Sequence, residues 1–143
     1  ELGADVVLQA KKGDRKEIVE KIKSLTDGMG AEIVFECSGS EDTLYNMCEV
    51  AEPCGHIAII GTNPKGQIAF SSGSARRKGL TLRFVRRSLD TLEPCITLAE
   101  RGTIHPEKLV THTFKASETQ KAFDTVFNYN DGVLKALIDM RVF

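Results

Sequence analysis

Short apolar runs alternate along the chain with segments whose apolar residues recur at helical spacing. Asp5-Val6-Val7-Leu8 is a β-branched run that predicts a strand, preceded by Leu2-Gly3-Ala4, which has the form of a helix ending in glycine. Over 15–25, Ile18, Val19, Ile22 and Leu25 share one helix face. Thr26-Asp27-Gly28-Met29-Gly30 is turn chemistry and leads into a strand at 31–37. That strand stops at Ser38-Gly39-Ser40, where a serine cap followed by Glu41 and Asp42 begins a helix carrying Leu44, Met47, Cys48 and Ala51. Past Pro53-Cys54-Gly55, the run His56-Ile57-Ala58-Ile59-Ile60 predicts a strand buried on both faces and closed by Gly61-Thr62. A polar stretch at 63–79 reads as a loop, 80–85 as a further strand, and 91–101 as a helix stopping at Gly102.

Strand, helix, strand, helix, strand, loop, strand, helix is the order of a parallel α/β sheet with right-handed crossovers. The tail differs. Leu109-Val110-Thr111-His112-Thr113-Phe114 reads as a short strand, and Ser117 caps a helix with Gln120 as capping-box partner. Ala122, Phe123, Val126 and Phe127 give that helix an apolar face, 128–132 is a turn, and 133–138 is a last strand. A boundary therefore falls near Gly102 to Glu107, dividing residues 1–104 from a small α+β unit at 105–143.

At 143 residues, 41% hydrophobic and 27% charged, the chain has the makeup of one ordinary globular domain. A formal charge of -1 and only short basic clusters (Arg76-Arg77-Lys78, Arg86-Arg87) point away from nucleic acid and anionic membranes as partners. No apolar run approaches the roughly 18 residues of a membrane span. Cys37, Cys48, Cys54 and Cys95 are irregularly spaced in or beside apolar segments, which suits buried thiols in a reducing, cytoplasmic setting better than disulfides.

A parallel sheet offers its ligand site at the carboxyl ends of its strands. Those ends here are Glu36-Cys37-Ser38-Gly39, Ile60-Gly61-Thr62 and Val85-Arg86-Arg87. Gly39 and Gly61 leave room for close backbone approach to a ligand, although glycine also ends many strands for reasons of turn geometry alone. The glycine-rich phosphate loop is absent: Gly28-Met29-Gly30 is followed by a strand, where a helix N-terminus is needed. Cys54 and His56 are two apart, and no Cys-x-x-Cys or His-x-x-x-His spacing occurs, so no metal site is legible. His56, His105 and His112 read as structural, and no spacing supports a nucleophile with its base.

Three stretches are specific when taken in order. They are Leu2-Gly3-Ala4-Asp5, then Thr26-Asp27-Gly28-Met29-Gly30-Ala31-Glu32-Ile33-Val34-Phe35-Glu36-Cys37-Ser38-Gly39, then Gly55-His56-Ile57-Ala58-Ile59-Ile60-Gly61. This series resembles the second half of the coenzyme domain in zinc-dependent medium-chain dehydrogenases. Leu109-Val110-Thr111-His112, Ala122-Phe123 and Val133-Leu134-Lys135-Ala136 resemble the C-terminal return to the catalytic domain in the same superfamily, with the sorbitol, threonine and butanediol branch nearest in flavour.

The resemblance implies a partial Rossmann-type parallel sheet, its third to sixth strands with their helices, followed by a C-terminal α+β return segment. It implies NAD or NADP as cofactor, an alcohol or polyol as substrate, and zinc in the intact protein. By the same carry-over, Cys37 and Ser38 line the riboses, and Ile60, Gly61 and Thr62 meet the nicotinamide carboxamide. Phe84 and Arg86 lie near the nicotinamide, and Lys135 reaches the pyrophosphate. The strand from Leu80 through Val85 becomes a sheet edge that pairs in a homo-oligomer.

The family's zinc ligands, proton-relay residue and phosphate loop all precede the matching region, so the expectation is a fragment, inactive alone, with no catalytic residue to name. Two other readings stay open: a zinc-free quinone or enoyl reductase of the same superfamily, and a non-catalytic binding or assembly module. The sheet order 3-2-1-4-5-6 places two strands between the third and the fourth. Either that gap stays open, another chain fills it, or residues 5–8 pair directly beside Ile33 to Phe35 in a rearranged sheet.

Overall fold

A computed structural model describes residues 3–11 and 13–142, so Leu2 of the first quoted stretch lies outside the described residues. The chain divides into two compact units at Leu89/Asp90, with Gly3 belonging to the second of them.

The first unit is built around a three-stranded parallel sheet in the order β1-β2-β3. Helix α1 (Arg15–Ser24) precedes β1 (Ala31–Glu36), α2 (Glu41–Val50) joins it to β2 (Ala51–Ile59), and α3 (Ser72–Lys78) leads into β3 (Thr81–Phe84). Gly28 and Gly30 take left-handed conformations in the turn before β1, as their turn reading required. Helix α2 starts as its pattern predicts, the Ser40 side chain accepting from Thr43 N and Leu44, Met47, Cys48 and Val50 buried, but it ends at Val50: Ala51, expected on the helix, opens β2, which runs through Pro53-Cys54-Gly55. Leu44, Met47 and Cys48 meet Ala51, Ile57 and Ile59 of β2, with Val34, Ile68, Phe70, Ala75, Leu80 and Leu82 packed around them.

Four local expectations are corrected. Residues 5–8 form no strand, and Val6 and Val7 are exposed. A strand exists only through a ladder partner, and β1 pairs with β2 alone, so the sheet has three strands rather than four and the rearranged pairing does not occur. The second strand is not buried on both faces. Ile57 and Ile59 point into the core, while His56 is exposed and Ile60 is 46% exposed. The polar stretch at 63–79 is not all loop, since α3 occupies its second half and ends on Gly79 in a left-handed cap. The cysteines are all free thiols, but only Cys48 is buried; Cys37, Cys54 and Cys95 are exposed.

Lys78 explains why α3 forms without an apolar stripe. Its Nζ donates to the carbonyls of Cys48 (3.0 Å), Glu49 (2.9 Å) and Ala51 (2.6 Å), closing the C-terminal end of α2. One residue's charge thus ties two helices and the start of β2.

The second unit holds α4 (Leu92–Glu100), β4 (Val110–Lys115), α5 (Thr119–Phe127) and β5 (Lys135–Asp139), with β4 and β5 parallel. Ser117 does not cap α5. A single 3-10 turn over Ala116–Glu118 intervenes, and the Glu118 carboxylate accepts from Lys115 N at 3.2 Å, so the cap is displaced from the predicted serine. Among the described residues no helix is long and apolar enough to cross a membrane.

Candidate functional site at the carboxyl edge of the sheet

Parallel strands bring all their carboxyl ends to one edge. Glu36, Ile59 and Phe84 form the last paired rung across β1, β2 and β3. Cys37 and Ser38, Ile60 to Thr62, and Arg86 follow immediately, so seven of the eight residues singled out above lie along one edge of one sheet. Six of the seven are exposed, Phe84 at 67%; Gly61 is partly buried. Lys135 is exposed at the start of β5, in the other unit.

The two inner strand ends are locked together. Ile60 N and Gly61 N both donate to the Glu36 carbonyl, at 2.8 and 2.9 Å. A Cβ on Gly39 would lie 2.6 Å from the Thr62 carbonyl, and one on Gly61 would fall on Gly39 N. Both glycines are therefore demanded by the approach of the two loops to each other. Asn63 secures the contact, donating from Nδ2 to the Gly39 carbonyl at 3.0 Å while its Oδ1 accepts from Lys65 N at 2.9 Å.

Beneath this edge sits a residue that sequence reasoning missed. Glu36 is only 3% exposed. Its Oε1 lies within hydrogen-bonding distance of four donors: Gly39 N (2.8 Å), Ser38 N (3.0 Å), Ser38 Oγ (3.1 Å) and Thr43 Oγ1 (2.7 Å). Its Oε2 is buried with no hydrogen-bond partner among the described residues. Burial is the largest single influence on this carboxyl and pushes its pKa up, but the donors from Thr43, Gly39 and Ser38 together outweigh it and hold the group below its ordinary value. The signal in the sequence was a glutamate closing an apolar strand, with hydroxyl residues two and seven positions on.

The carboxylate thus gathers the amides of Ser38 and Gly39, in the loop that precedes α2, and the Thr43 hydroxyl of that helix's first turn. The edge presents small, polar and uncharged surface from Ser38, Gly61 and Thr62. Among the described residues no group of three or more His, Cys, Asp or Glu side chains could hold a metal ion, so zinc does not fit on them.

Residues 1–101 match the sequence profile of the zinc-binding dehydrogenases. A zinc-type alcohol dehydrogenase-like protein of Escherichia coli K12 is 29% identical over 138 residues, covering 96% of this chain and 38% of that protein. A sorbitol dehydrogenase of Halalkalibacterium halodurans is 28% identical over 127 residues, covering 88% of this chain and 36% of its own length. The solved structure of an Escherichia coli oxidoreductase of unknown specificity superposes with a TM-score of 0.82 at 28% identity, covering 96% of this chain and 39% of that one. The chain thus spans less than two-fifths of the length of the curated relatives it matches. With the parallel sheet, the order of its elements and more than half of the sequence in agreement, the chain belongs to the zinc-binding dehydrogenase family.

Proposed function

We propose that this chain supplies the nicotinamide-side wall of the cofactor site in an NAD(P)-dependent zinc-type dehydrogenase acting on a secondary alcohol or polyol. The observation that carries the reading is the single edge on which Cys37, Ser38, Ile60, Gly61, Thr62, Phe84 and Arg86 converge. Such an edge suits the uncharged ribose and nicotinamide. The sorbitol dehydrogenase relative favours a polyol substrate.

In this reading residues 105–143 belong to the catalytic domain, and the 143 residues do not carry the reaction by themselves. Zinc, where the intact protein holds it, would supply Lewis-acid polarisation of the substrate oxygen. The residues present here bind and orient the ring: Gly61 and the exposed Ser38 and Thr62 give it small polar surface to approach, and Phe84 offers a flat apolar contact. β3 is an edge strand, which suits pairing with a second copy, and a cytoplasmic location accords with the free thiols.

The test uses the full-length polypeptide containing these residues. Titration with NADH and NADPH, followed by fluorescence, should show saturable binding weakened by Ser38→Ala and by Phe84→Ala. Turnover of sorbitol or a related polyol should vanish on chelation and return with zinc. A protein that binds neither dinucleotide refutes the reading.

A further inference from the structure

Nothing in the proposed wall uses the buried carboxylate beneath it. We propose that Glu36 is a positioning residue: a built-in anion that gathers the amides and hydroxyls around it and so fixes the loop carrying Cys37 and Ser38 ahead of α2. The inference rests on the cofactor reading above and deepens it by naming what shapes that wall.

Two backbone amides and two hydroxyls converging on one oxygen are the recognition chemistry of a bound anion. Here the anion is covalently part of the chain and is 3% exposed. The same residue's carbonyl takes Ile60 N and Gly61 N, so one residue sets both inner strand ends, the first through its side chain and the second through its backbone. The second oxygen, Oε2, has no hydrogen-bond partner among the described residues and packs against Gly61, where a Cβ would come within 2.5 Å of it. A carboxylate tolerates that position because one fully engaged oxygen stabilises the shared charge.

A glutamine does not tolerate it. Either its amide nitrogen takes the Oε2 position and buries N–H groups with no acceptor, or it turns its N–H groups against four donors. The seat therefore calls for the charge, and the loop shape depends on it.

The structure also dictates a rescue. Glu36→Ala leaves the amides of Ser38 and Gly39 and the hydroxyls of Ser38 and Thr43 around an empty space that formate fits. In the full-length polypeptide, Glu36→Ala should raise the KM for the dinucleotide about tenfold, equivalent to roughly 1.4 kcal/mol of binding, with kcat changed less. Added sodium formate should restore the KM and raise the unfolding temperature, whereas sodium chloride at matched ionic strength should not. Glu36→Gln should show the same rise in KM without rescue, because its side chain still blocks the seat.

Wild-type KM in Glu36→Gln overturns the inference, as does a Glu36→Ala protein indifferent to formate. If Glu36→Ala does not fold, the KM of Glu36→Gln decides alone. The two readings fail differently: no dinucleotide binding by the wild type sinks the cofactor reading and this role with it. Wild-type binding that Glu36→Gln leaves unchanged sinks only the role of Glu36.

Discussion

Gly61→Ala tests how closely the two inner strand ends approach. The added Cβ would fall on Gly39 N, 2.5 Å from Glu36 Oε2 and 2.9 Å from the Cys37 carbonyl carbon. None of these is the loose end of a flexible side chain. Forcing a methyl into a packed site costs about 1–3 kcal/mol when neighbours can adjust. Here adjustment also breaks the bonds from Ile60 N and Gly61 N to the Glu36 carbonyl, each worth about 1 kcal/mol net. The sum is a loss of about 3–5 kcal/mol. Gly66→Ala provides the control, because Gly66 has a φ of +66 and nothing within 4 Å of its Cβ position. Only the left-handed penalty applies there, about 1–2 kcal/mol. Equilibrium urea unfolding of both variants, with unchanged m-values, isolates the cost of space from the cost of conformation. A Gly61→Ala protein no less stable than Gly66→Ala would refute the close approach and the locked edge with it.

Other consequences can be checked by stability and labelling. Lys78→Met keeps the aliphatic stem but strands three carbonyls at the end of α2, and urea unfolding should show a loss of about 2–3 kcal/mol; an unchanged midpoint would deny the tie between α2 and α3. Cys54 sits at a φ of +63, so Cys54→Gly should relieve about 1 kcal/mol of strain and raise the thermal midpoint; a lower midpoint would count against that backbone. Thiol labelling of the native protein should modify Cys37, Cys54 and Cys95, leaving Cys48, whose thiol burial pushes up in pKa, protected until urea is added. Glu36 has a folded pKa below its unfolded value of about 4.3, so its stabilisation is complete above that pH and is lost as pH falls through the lower folded value. The unfolding temperature of the wild type should therefore fall more steeply below about pH 4.3 than that of Glu36→Gln, and parallel profiles would contradict an ionised carboxylate there.

What the sequence made legible were features set by local spacing. Ser40, Leu44, Met47 and Cys48 announced α2 because a cap and a helical period are properties of neighbouring residues. The strand ends, expected at Cys37, Ile60 and Val85 and found one residue earlier at Glu36, Ile59 and Phe84, were legible for the same reason, and parallel pairing then places them on one edge without further information. The misses have a common cause. Residues 5–8 have the composition of a strand, but a strand requires a partner that composition does not supply. α3 lies in a serine- and glycine-rich stretch that argues for a loop, and is drawn into the fold by Lys78 reaching the end of a helix some thirty positions earlier.

Glu36 is the sharpest case. In an alternating strand its charge reads as a solvent-facing position. It is buried because the turn of chain that follows folds back over it, bringing Ser38, Gly39 and Thr43 to one oxygen. Four donors assembled from three residues offset a desolvation that any one of them would leave uncompensated. That compensation is local in sequence, spanning eight positions, yet it becomes visible only once β1 and the first turn of α2 are placed end to end. Acidic residues that end an apolar strand and are followed by Ser, Gly and Thr at these offsets are thus candidates for internal anions rather than surface charges.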